Sequence, residues 1–136
     1  MKHLNTIIIA SILAWGAFST AYSAKITILS VGDTHSNIAP GGKRDSELKG
    51  MEGGIARAAS VIMNERQSGE DMLLLHSGDI SIGDLVYNAT FGAGELELML
   101  QLGFDAMTLG NHEFDLTPST LQDVISKAFT EKSFPL

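Results

Sequence analysis

No cysteine occurs in this chain. That absence excludes disulfides, a cysteine nucleophile, thiolate metal sites and a lipid-anchored amino-terminal cysteine. Positive charge is scarce as well: the formal net charge is −7. A sequence-independent grip on a nucleic acid polymer is therefore not expected. An anionic substrate would need locally placed cations, and bound metal ions are the obvious source. Internal repeats and low-complexity segments are missing too. What remains is ordinary for a globular chain, with 44% hydrophobic and 18% charged residues. Its 136 residues suffice for one domain with a modest core.

The first residues belong to a different category. Met1-Lys2-His3 is a short basic start, and Leu4 to Phe18 is mostly apolar, with Ile7, Ile8, Ile9, Ile12, Leu13 and Trp15. Ala21 and Ser23 are the small residues that signal peptidase inspects. Residues 1–23 read as a signal peptide cleaved after Ser23, which makes the chain exported, to the periplasm or outside the cell. The apolar stretch is shorter than the ~20 residues of a spanning helix, so no stable membrane anchor is expected after cleavage.

The rest alternates strands and helices. Lys25–Val31 is β-branched and apolar and predicts a strand; residues 32–52, with Pro40-Gly41-Gly42, read as a long loop. A helix is expected from about Gly53 to Gln67, with Ile55, Ala58, Ala59 and Ile62 on one face. Asp71–Ser77 is a nearly all-apolar strand, expected to be covered on both faces. A loop over 78–92 leads to a helix over 93–102 stopped by Gly103, then to a strand over 104–109. Thr117-Pro118 gives an N-cap and a first-turn proline for a last helix reaching about Phe129. This βαβαβα order predicts an α/β fold with a parallel sheet, whose ligands bind at the carboxyl ends of the strands.

Three polar clusters fall at those ends: Gly32-Asp33-Thr34-His35, Gly78-Asp79, and Gly110-Asn111-His112-Glu113-Phe114-Asp115. Chance would scatter them between both edges of the sheet. Their oxygen and imidazole donors suit Zn²⁺, Mn²⁺ or Fe. Asp33 and His35, two apart at an extended strand end, would project to one side and reach one ion. Alone, that pair is equally an N-capping Asp beside a surface His, and Gly78-Asp79 alone is a turn. Read as chemistry, Asp79 is a carboxylate bridging two metals, and Gly78 leaves room for a ligand to approach. Asn111 offers a carbonyl oxygen, His112 can point toward substrate, and Asp115 can hold the His112 imidazole in orientation and protonation.

The order Asp-x-His, Gly-Asp, Gly-Asn-His-Glu resembles the calcineurin-like metallophosphoesterases. Gly110–Asp115, Gly53-Gly54-Ile55-Ala56-Arg57 and Leu73–Asp79 are similar to the 5′-nucleotidase and UDP-sugar hydrolase branch. The resemblance implies a metallophosphoesterase-type layered α/β domain, of which residues 24–136 would be an amino-terminal part. It implies two divalent metal ions, Zn, Mn or similar, with Asp33 and His35 on the first, Asp79 bridging and Asn111 on the second. His112 would contact the scissile phosphate and Asp115 would orient it. The substrate would be a small phosphate ester or nucleotide, attacked by a water that the metal pair activates.

The family's later histidine ligands have no counterpart, since the chain's histidines are His3, His35, His76 and His112. His76 reads as a structural strand residue. Ser133–Leu136 looks like the start of a further strand, so the sequence is expected to belong to a longer protein. Alternatives are a non-catalytic exported remnant, or a hydrolase acting on cyclic phosphodiesters or sulfur esters. A receiver-like phosphotransfer domain is disfavoured by the export signal and the histidine clusters.

Overall fold

The computed structural model describes residues 24–47 and 50–136; the expected signal peptide, residues 1–23, lies outside the described residues. The β-branched run near the start forms strand β1, Ile26–Val31. Where the sequence suggests only a loop, a small hairpin follows, β2 (Gly41–Arg44) with β3 (Gly50–Glu52). Its glycines and charges are poor strand formers, and β2 is exposed throughout. Pairing, not composition, makes these residues a hairpin.

Helix α1 (Ile55–Gln67) carries Ile62 into the core, with Ile55, Ala58 and Ala59 half-buried on the same face. Strand β4 (Asp71–His76) pairs with β1 in parallel along its whole length, from Ile26 opposite Asp71 to Val31 opposite His76. The segment expected as a loop contains a short helix, α2 (Leu85–Thr90), with Asp84 accepting a bond from Leu85 N–H at its start. Val86, Asn88 and Thr90 are indifferent helix formers, so composition gave it no signal. Helix α3 (Ala93–Leu102) ends at Gly103, which takes the left-handed conformation expected of a helix stop.

Strand β5 is shorter than expected, Ala106–Met107, and pairs in parallel with β4. Phe104 N–H is drawn to Met99 O at the end of α3, and Asp105 takes Leu74 N–H on its side chain, so the ladder begins late. Met107 N–H on the other edge donates to Pro135 O, which lays the last residues alongside β5. Helix α4 (Pro118–Ala128) begins as Thr117-Pro118 indicates: the Thr117 hydroxyl accepts Thr120 N–H at 3.1 Å.

The sheet order is β1-β4-β5, with β4 central. One core joins Leu74 of β4 with Ile62 of α1, Leu96 and Met99 of α3, and Val124 and Ala128 of α4. Burying a leucine such as Leu74 contributes about 1.5–3 kcal/mol. The expectation that β4 is covered on both faces fails. Ile26 and Ile28 are 56% and 61% exposed, and Leu73 is 41% exposed. The helices cover one face, and an apolar run carries no information about which face finds a partner.

Candidate metal centre at the strand ends

After β1 the chain does not stay extended. Asp33, His35 and Ser36 take left-handed φ values of 50, 46 and 55°, and Asp79 and Ile82 across from them take 56 and 58°. Such conformations cost non-glycine residues roughly 1–2 kcal/mol each. Backbone bonds between the two loops offset that strain: Asp33 N–H to Gly78 O, His35 N–H to Asp79 O and Ser36 N–H to Ile80 O, at 2.9–3.1 Å. The extended-strand argument for Asp33 and His35 therefore does not hold. Their side chains are aimed by a turn zipped onto the loop after β4.

His35 Nδ1 lies 3.0 Å from Ser81 O and 2.9 Å from Ile82 O. Carbonyl oxygens only accept, so Nδ1 carries a proton and Nε2 is the ring nitrogen left to face an ion. This is the support that a metal-binding imidazole needs. Asp79 Oδ1 accepts His112 N–H at 3.0 Å. The His35 and His112 rings meet edge to face with centroids 5.1 Å apart. One donor atom from each of His35, Asp79 and His112 lies within 4.8 Å of the other two. Asp33 is exposed and outside this group. Asn111 is exposed and starts the 3₁₀ turn His112–Phe114, its carbonyl accepting Phe114 N–H.

His112 Nδ1 donates to Asp115 Oδ2 at 2.6 Å. That hydrogen bond is the main cause that raises the His112 pKa above the ordinary imidazole value, with the charges of Asp115, Asp79 and Glu113 adding to it against some desolvation. The protonated ring is a donor, suited to an anionic oxygen. His76 behaves oppositely. It is buried, and burial lowers its pKa. Gly78 N–H donates to His76 Nδ1 at 3.1 Å, so Nε2 holds the proton and reaches Thr34 Oγ1 at 3.3 Å. This neutral histidine ties the Thr34 loop to the Gly78 loop and is structural, as its place in the strand suggests.

Gly78 is not open to a ligand. Its φ is 99°, and a Cβ there would lie 2.5 Å from the Gly110 backbone nitrogen. The missing side chain lets the β4 and β5 loops touch.

Glu113 has no role in the sequence reading, yet it holds these two loops. Buried to 6% exposure, its Oε2 accepts Gly110 N–H at 2.6 Å and Asp79 N–H at 2.9 Å. Its Oε1 accepts Ile80 N–H at 3.0 Å and Ser81 N–H at 3.1 Å. The only hint in the sequence is an acidic residue inside a short polar turn, and its partners on the β4 loop lie more than thirty residues away.

A family profile described as calcineurin-like phosphoesterase matches residues 26–133. The 5′-nucleotidase of Bos taurus is 33% identical over 130 residues, which is 92% of this chain and 22% of that protein. Among solved structures, a 5′-nucleotidase precursor from Thermus thermophilus superposes with a TM-score of 0.67 at 34% identity, over 76% of this chain and 20% of that one. The NAD nucleotidase of Haemophilus influenzae gives 0.64 at 29% identity, over 75% of this chain and 19% of its own. The chain thus spans about a fifth of the length of these relatives.

Proposed function

The chain belongs to the calcineurin-like phosphoesterase family, and from that premise we propose that it serves metal-dependent hydrolysis of phosphate esters, nucleotides foremost. The observation that carries this reading is the meeting of His35, Asp79 and His112 at the strand ends, with Asp115 bonded to His112. The donor chemistry fits a divalent ion: His35 has Nδ1 tied to two carbonyls, which leaves Nε2 as its ligating atom, and Asp79 stands beside it with a carboxylate. We assign Asp33 and His35 to one metal, Asp79 to a bridge and Asn111 to a second. When bound, a pair of Zn²⁺, Mn²⁺ or similar ions supplies Lewis-acid activation of water and neutralises phosphoryl oxygens.

The chain's own residues do the rest. Asp115 keeps the His112 ring oriented and favours its protonated form. A protonated imidazole cannot ligate a metal but can donate to a phosphate oxygen as charge builds up. We therefore assign His112 to substrate contact, with Asp115 orienting its ring. Residues 1–23 are assigned to a signal peptide and 24–136 to part of the hydrolase domain, which makes the protein exported. Relatives that include snake venom 5′-nucleotidases and a 5′-nucleotidase precursor support export.

The test is phosphate release from 5′-AMP and from bis-p-nitrophenyl phosphate with Mn²⁺ or Zn²⁺. It uses protein recovered from the exported fraction, whose first residue is expected to be Ala24. Activity abolished by chelation and cut at least about 100-fold in His112→Ala supports the proposal. The alternative reading is a metal-binding chain without turnover. Mn²⁺ binding with no release from either ester would establish that one instead.

A further inference from the structure

We propose that Glu113 is a positioning residue that sets the spacing of the metal donors, and that it is not itself a ligand. The inference rests on the metal-dependent reading above and deepens it. A carboxylate has about four acceptor sites, and backbone N–H groups occupy all four: Asp79 and Gly110 on Oε2, Ile80 and Ser81 on Oε1. No lone pair is left for a cation, although the residue adjoins His112. Burying a carboxylate is costly unless its oxygens are fully bonded, and here they are.

Consider what the four bonds connect. Three donors belong to the loop after β4, which carries Asp79; the fourth, Gly110, precedes Asn111 and His112. Oε2 accepts from both loops and Glu113 itself stands on the second, so its carboxylate ties the Asp79 loop to the Asn111–His112 turn. The bond from His112 N–H to Asp79 Oδ1 depends on the same spacing. Glutamine at 113 keeps the shape but turns an NH₂ group toward two N–H donors. One loop would then lose its acceptor and drift from the other.

The experiment follows Mn²⁺ binding by electron paramagnetic resonance and hydrolysis as a function of Mn²⁺, in the unsubstituted protein and in Glu113→Gln. Metal affinity is expected to fall about 10- to 100-fold, the usual effect of removing a residue that supports ligands. At saturating Mn²⁺ kcat should recover, with KM for 5′-AMP within about twofold, a rescue that general misfolding would not give. Amide exchange of the unsubstituted protein covers the case in which the variant does not fold: Asp79, Ile80, Ser81 and Gly110 should all be protected. A folded Glu113→Gln that binds Mn²⁺ normally overturns the role of Glu113 alone. So does exchange of any of the four amides at the rate of an open loop. No Mn²⁺ binding by the unsubstituted protein overturns the metal-dependent reading and this role with it.

Discussion

At the scale of residues, the centre is a set of side chains whose protonation is decided by their neighbours. His35 is oriented by two carbonyls that accept from its Nδ1, while His76 is held as a neutral ring by burial and by an N–H donated to its Nδ1. His112 leans the other way because Asp115 accepts from it. In the metal-free protein the His112 ring should therefore titrate above the ordinary imidazole value, holding its charge to a higher pH than a free ring and losing it as pH rises through the raised pKa. Asp115→Asn removes the leading cause, so the titration should move to lower pH; proton NMR of the ring reads it directly. An unchanged midpoint would show that Asp115 does not control that proton. The residue types at these positions were legible in the sequence, because Asp, His and Asn after three strands admit few readings. The left-handed turns at Asp33, His35 and Asp79 were not legible, since nothing in those residues demands positive φ. The neighbouring loop's carbonyls impose it.

At the scale of elements, what could be read depended on whether a segment carries its own structural signal. Helices α1 and α3 announce themselves by periodic apolar positions, and α4 by Thr117 and Pro118 at its start. The hairpin β2–β3 and helix α2 have neither, and both exist through contacts that a single segment does not reveal. Where the signal is local, the energetics should be local too. Replacing Thr117 by Ala deletes the acceptor for Thr120 N–H and should destabilise the protein by about 1 kcal/mol, measured by urea unfolding. Catalytic metal dependence should not shift, since α4 supplies no donor. A loss well below that figure would mean that Ser119, whose hydroxyl lies 2.8 Å from that of Thr117, takes over the cap.

At the scale of the whole molecule, the helices and sheet build one core and leave one face of β1 and β4 bare. Ile28 and Leu73 sit opposite each other on that face, both exposed. Contiguous apolar surface of this kind drives association. The exported protein, beginning at Ala24, should self-associate with rising concentration in sedimentation velocity. Ile28→Thr combined with Leu73→Thr should keep it monomeric, at a cost in stability of about 1 kcal/mol or less because both side chains are largely exposed. Equal sedimentation of the two proteins would sink this expectation. The bare face was invisible in the sequence, where the apolar run of β4 looks the same whether one layer or two will cover it.

The continuity of the β1–β4 pairing has one more consequence. The ladder does not stop at Val31 and His76 but runs on, bond by bond, through Asp33, His35 and Ser36. Loops that carry ligands usually open on their own, well below the free energy of global unfolding. Detaching His35 from Asp79 means breaking a run of bonds continuous with the pairing of edge strand β1 and central strand β4. The donors are thus stored in the most cooperative part of the molecule. A metal ion bound there would find the donors already placed by backbone pairing, and its loss would leave that pairing intact.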